Sequence, residues 1–175
     1  MSQPLSGHDG PYAAPLATAQ RAVPADWIDY NGHMNVAYYT MAMDRAMDVM
    51  FDDHLGLGEA HAAANRQGPY VIQMHMHYLG EVLEGEQYAC RFTLLDHDAK
   101  RLHILSELVV GDEVRAMAEH LVMNVDLEAR RSAPYPDWAQ ARLARMKADH
   151  AVIPRPPRLG ATLGIRRQPN TEPQK

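Results

Sequence analysis

At 175 residues, with 46% hydrophobic and 22% charged residues, the chain suits one globular domain that can bury a core without disulfides or metals. Its 17 Lys plus Arg against 22 Asp plus Glu give a formal charge of −5, which argues against nucleic acid or an anionic membrane as partner. The lone Cys90 excludes an intrachain disulfide and falls in an alternating apolar segment, so a buried thiol in a reducing cytoplasm is expected.

Residues 1–15 carry three prolines, no Lys or Arg and no continuous apolar stretch, and read as an N-terminal tail without the features of a secretory signal. Thr18 to Pro24 is predicted as a short strand, and Asp26 to Asn35 as an ordered loop that ends in a helix cap at Asn35. From Val36 to about Asp52, a helical projection gathers Asp44, Arg45, Asp48 and Asp52 on one narrow stripe. Val36, Tyr39, Thr40, Met43, Ala46, Met47 and Met50 cover the opposite side, which predicts a mostly buried helix.

A connection rich in Gly, Ala and His follows, then four alternating segments: Pro69 to Leu79, Gln87 to Asp96, Leu102 to Val110 and Val114 to Val125. Short polar runs, Glu84 to Glu86, Asp96 to Lys100 and Gly111 to Glu113, separate them, as antiparallel hairpins require. A final helix is predicted from Asp137 to Asp149, with Trp138, Ala141, Leu143 and Met146 as its apolar face. Residues 151–175 hold five prolines and read as a C-terminal tail, with Pro154 to Arg158 extended and solvated. The body of the protein is therefore expected over residues 16–150. A helix apolar over most of its circumference must be wrapped, and a strongly curved antiparallel sheet can wrap it. The expected class is α+β, one long buried helix inside a five-stranded sheet.

The chemically dense stretch is Asp26-Trp27-Ile28-Asp29-Tyr30-Asn31-Gly32-His33-Met34-Asn35, immediately before that helix. It reads in two ways. One is a capped loop in which Asp26 and Asp29 merely accept backbone N–H bonds and His33 lies at the surface. The other is a site: the helix start near Val36 offers free N–H groups to a developing oxyanion, and Gly32 allows close approach to the backbone. Asp29 would then act as general base or nucleophile on the same carbonyl. His75 and His77 share one face of a strand, but no third ligand is evident, so no metal and no cofactor are expected. Lys100 and Arg101, at a hairpin, read either as solvated or as contacts for the phosphates of a ligand.

The pattern Asp-x-x-Gly-His-x-Asn followed by an aromatic residue, here Asp29, Gly32, His33, Asn35 and Tyr39, resembles the signature of the 4-hydroxybenzoyl-CoA thioesterase branch of hotdog-fold proteins. The resemblance runs from about Val23 to about Asp126 and takes in Asp44-Arg45-Ala46, Tyr78-Leu79-Gly80-Glu81-Val82 and Val125-Asp126. It implies an acyl-CoA thioester hydrolase with Asp29 as catalytic carboxylate, the amide near Val36 as oxyanion donor, and His33 and Asn35 in support. A second Asn common in that family is Val36 here, so only the main-chain donor carries over. The resemblance also implies a homodimer or a dimer of dimers.

Within that superfamily, the Asp26 to Asn35 run together with Leu94 to Asp98 and Lys100 to His103 is most similar to thioesterases of carnitine breakdown, which act on betainyl-CoA. Trp27, Tyr30, Tyr38 and Tyr39 would then cage the trimethylammonium group, with Asp26 adding charge and Asn31 alongside; the alternative is that these aromatics simply pack. A noncatalytic acyl-CoA-binding hotdog protein is the competing function, and it would have no use for Asp29 aimed at the carbonyl. Hotdog hydratases rely on a different Asp-and-His segment that the chain lacks.

Overall fold

The computed structural model describes residues 3–165. In chain order it contains β1 (Leu16–Ala17), β2 (Arg21–Ala22), α1 (Val36–Val49), α2 (Glu59–Asn65), β3 (Gln67–Tyr78), β4 (Gln87–His97), β5 (Arg101–Val110), β6 (Glu113–Asp126), β7 (Arg131–Ser132) and α3 (Asp137–His150). A 3-10 turn, Ala25–Trp27, precedes α1, and a π-helical segment, Met50–Leu55, follows it.

All strand pairings are antiparallel, in one sheet of order β1-β4-β5-β6-β3, with β2 also on β4 and β7 on β6. The four long strands match the four alternating segments. Register shifts between Val71 and Gln73, Leu94 and Asp96, and Leu108 and Val109 mark the irregularities that bend such a sheet around a helix. α1 meets β4 and β5, and its Met43 and Met47 share one buried cluster with Phe92, Ile104 and Leu108. The arrangement is the hotdog fold.

Several expectations are corrected in detail. Among the described residues the sheet has seven strands, not five, because the Thr18 to Pro24 strand is replaced by two short pieces and β7 adds a further one on β6. The hydroxyl of Thr18 accepts the Cys90 N–H at 3.1 Å, so a side chain takes a place in the ladder between β1 and β2. Val36 is 55% exposed rather than buried, since it stands in the first turn, ahead of the covered part of α1. The helix changes to π geometry at Met50, which keeps Met50, Phe51 and Leu55 on the buried side. Asp52 accepts the Glu59 N–H and so starts α2, where only a connection was expected.

On α3, Ala141 is exposed, and Ala139, Arg142 and His150 join Leu143 and Met146 on the buried face. The reason is the N-terminal stretch, which is laid over α3 rather than forming a tail. Arg142 binds Asp9 and the carbonyls of Ser6 and Leu55, Tyr12 is buried with its N–H on Asp149, and His150 bridges the Leu94 N–H to the Ala13 carbonyl. Past α3, Arg155 and Arg158 are exposed, while Leu159 packs on the outer-face cluster of Leu95, Leu105 and Met117. The polar end Thr171 to Lys175 lies outside the described residues.

Candidate active site

The loop before α1 is built by a chain reversal. The 3-10 turn buries Trp27, after which Ile28 pairs with Met34 across a tight turn. Asp29 N–H donates to the His33 carbonyl at 3.1 Å and Gly32 N–H to the Asp29 carbonyl at 2.9 Å. Gly32 closes the turn at φ +82°, a left-handed conformation that a side chain would strain, with no atom within 4 Å of where a Cβ would stand. Met34, 1% exposed, donates its N–H to the Val82 carbonyl at 2.7 Å and so pins the loop to the β3–β4 connection.

That geometry delivers the Asp29 carboxylate to the helix start. One oxygen accepts the Asn31 N–H at 2.8 Å, and the other accepts the Asn35 side-chain amide at 3.3 Å. Asn35 works in both directions, because its Oδ1 accepts the Ala37 N–H at 3.0 Å and caps α1. The Tyr38 N–H is taken by the Asn35 carbonyl, which leaves the Val36 amide ahead of both bonds at the positive end of the helix.

Beside it lies a groove of about 430 Å³, lined by His33, Met34, Val36 and Tyr39 on one side and by Tyr78, Leu79, Gly80 and Glu81 on the other. Two tyrosines clasp across it: Tyr39 Oη donates to the Gly80 carbonyl at 3.3 Å and Tyr78 Oη to the Val36 carbonyl at 3.4 Å. Their rings meet edge to face at 5.2 Å. Burial pushes both phenols above their ordinary range, so they remain neutral donors.

Asp29, Asn31, Gly32, His33, Asn35, Val36 and Tyr39 are thus gathered at one end of α1. The other expected aromatics are not. Trp27 is stacked on Tyr38 at 5.1 Å and packs against Tyr88, and Tyr30 is 96% exposed at the turn tip. Of the proposed cage only Tyr39 faces the groove. Its actual ring partner, Tyr78, belongs to a segment that carries the family resemblance but gave no sign of a place in the groove, because the hydrogen bond that turns it inward crosses 42 positions.

Lys100 and Arg101 sit at the β4–β5 turn, the opposite end of β4 from Tyr88, about 30 Å along the strand at roughly 3.3 Å per residue. Within one chain they do not reach Asp29. Arg101 is forked onto Asp98 at 2.6 and 2.8 Å, and those bonds hold the Asp98 carboxyl down to about 2. The His75 and His77 rings are 4.5 Å apart, and among the described residues no group of three or more His, Cys, Asp or Glu is placed to hold a metal ion.

The sequence pattern of the thioesterase-like superfamily matches residues 23–143. The chain is similar to the betainyl-CoA thioesterase of Pseudomonas aeruginosa, with 32% identity over 152 residues, covering 86% of this chain and 95% of that protein. It is also similar to the L-carnitine dehydrogenase/betainyl-CoA thioesterase of Rhizobium meliloti, 29% identical over 89% of this chain but spanning only 31% of that longer protein. Among solved structures, a Staphylococcus aureus protein in complex with CoA superposes with a TM-score of 0.80 at 22% identity, covering 94% of this chain and all of that one.

Proposed function

The chain belongs to the thioesterase-like superfamily and is an acyl-CoA thioester hydrolase; we propose that its acyl group is betainyl and that Asp29 is its catalytic carboxylate. The observation that carries the catalytic assignment is the double use of Asn35. One amide holds Asp29 with its nitrogen and caps the helix with its oxygen, so the carboxylate and the positive helix end are fixed to one another. A thioester carbonyl oxygen set against the Val36 N–H would place the carbonyl carbon beside Asp29.

In the reaction so drawn, water adds to the carbonyl carbon while Asp29 accepts its proton, and the tetrahedral oxyanion rests on the Val36 amide. The C–S bond then breaks, and the proton held on Asp29 passes to the departing CoA sulfur. Direct attack by Asp29 would instead break the C–S bond, expel CoA thiolate and form a mixed anhydride, which water opens to the free acid while its proton goes to the thiolate. His33, which lines the groove, and Asn35 order the site and do not exchange protons with substrate.

The betainyl assignment rests on the similarity to the Pseudomonas aeruginosa enzyme and on a groove fitted with tyrosine faces and a carboxylate. Thiol release from betainyl-CoA and from the neutral isostere 3,3-dimethylbutyryl-CoA tests it. Cation recognition worth about 1–2 kcal/mol favours betainyl-CoA by roughly five- to thirty-fold in kcat/KM. Equal rates would remove the betaine and leave the thioesterase.

The working unit in this reading is a homodimer or a dimer of dimers. Support comes from β3, an edge strand on which Tyr70, Val71, Ile72 and Met74 are 38–48% exposed, an apolar edge that pairing would cover. The cytoplasm is the proposed compartment, supported by the single thiol, Cys90, buried and pushed up to about 12 by that burial. Among the described residues no helix is long and apolar enough to cross a membrane.

A further inference from the structure

Resting on the betainyl reading above, we propose that Tyr78 and Glu81, at the end of β3, form the subsite that reads the positive charge of the acyl group. Neither residue belongs to the catalytic loop.

The clasp between the two tyrosines decides what the groove offers a ligand. Because Tyr39 Oη is spent on the Gly80 carbonyl and Tyr78 Oη on the Val36 carbonyl, the groove receives ring surface and not hydroxyl donors. Tyr39 is 4% exposed and forms a wall, whereas Tyr78 is 47% exposed and keeps a surface free for contact. Each ring is anchored to the element opposite its own, so their relative setting is fixed before a ligand arrives. A fixed electron-rich ring surface suits methyl groups that carry a delocalised positive charge, as in a quaternary ammonium.

Charge points the same way. Glu81 lines the groove, and among the described residues no Lys or Arg does. Its carboxylate acts on the Tyr39 phenol ahead of the opposing Arg115 guanidinium. Arg115 runs past Gly80 but is paired with Glu113 at 3.1 Å. A cationic head gains from this setting and an anionic head, such as the distal carboxylate of succinyl-CoA, is repelled.

Position agrees with size. The quaternary nitrogen of a betainyl group is two bonds from the reacting carbonyl carbon, so the subsite must adjoin the oxyanion donor. Val36 supplies both: its amide stands at the helix start, and its carbonyl holds Tyr78.

The test measures kcat/KM on betainyl-CoA, 3,3-dimethylbutyryl-CoA and succinyl-CoA for the wild type and for Glu81→Gln, Glu81→Lys, Tyr78→Leu and Tyr78→Phe. Glu81→Gln and Tyr78→Leu are each expected to cut the ratio of betainyl to neutral kcat/KM by about two- to five-fold, through KM for the cation, and Tyr78→Phe to retain most of the ratio. Glu81→Lys should turn the preference toward succinyl-CoA. A wild type that prefers the cation while both Glu81→Gln and Tyr78→Leu keep its ratio overturns the subsite and spares the betainyl reading. A wild type with no preference defeats that reading, and the subsite with it, before any variant is made. Glu81 is an exposed side chain, so its variants keep the proposal testable even if Tyr78→Leu fails to fold.

Discussion

Replacing Asn35 by Asp separates the two bonds that its side chain makes. The new carboxylate can still accept the Ala37 N–H, now made at 3.0 Å, so the helix cap survives. Toward Asp29, however, a donor 3.3 Å away becomes a second negative oxygen. Two unit charges at that distance repel by about 1 kcal/mol in bulk water and about 5 kcal/mol at an effective dielectric constant near 20. Asp29 is half-buried, so the cost falls between those limits. Since about 1.4 kcal/mol moves a titration by one pH unit, the acid limb of the rate profile should rise by roughly one to three units. That limb then belongs to the carboxylate pair rather than to either member.

The assay is kcat/KM by thiol release across about pH 4 to 9, with Asn35→Ala as the control for loss of the cap, which costs about 1 kcal/mol of stability. A folded Asn35→Asp protein with the acid limb of the wild type would refute both the contact and the role given to Asp29.

Asp29→Ala and Asp29→Asn should each lower turnover by about 10²-fold or more with the fold retained, and His33→Ala by less; more than a third of wild-type turnover in either Asp29 variant would discard the assignment. His120 is 3% exposed, and burial pushes its imidazole down to about 4 from 6.5. The unfolded chain binds the proton first, so this stability is fully present above about pH 6.5 and is lost as pH falls toward about 4, with about 2 kcal/mol gone at pH 5. Urea midpoints at about pH 8 and pH 5 should differ less in His120→Met, and equal acid sensitivity of the two proteins would reject the linkage. Light scattering at micromolar concentration should give twice the chain mass or a multiple of it, and Val71→Lys on the β3 edge should weaken that association; a fully active monomer would contradict the dimer.

Local pattern alone determined much of this protein. The alternation in Gln87 to Asp96 and Leu102 to Val110 is a strand signal wherever those strands pair, and Asn35 ahead of an apolar periodic run is a helix start in any fold. The Asp29 to Asn35 loop was legible for the same reason, since the bonds that shape it span six positions or fewer. Tertiary structure decided whatever depends on partners distant in the chain. Thr18 interrupts its strand because its hydroxyl meets Cys90, 72 positions away, and Arg142 is buried because residues 6–9 and Leu55 supply its acceptors. Trp27 and Tyr39 are both aromatics beside the same loop, yet Trp27 packs on Tyr38 and Tyr88 while Tyr39 meets Tyr78 across the groove. Periodicity says which side of an element is covered; only the packed neighbours say by what, and at this site that difference separates a core aromatic from one that can touch substrate.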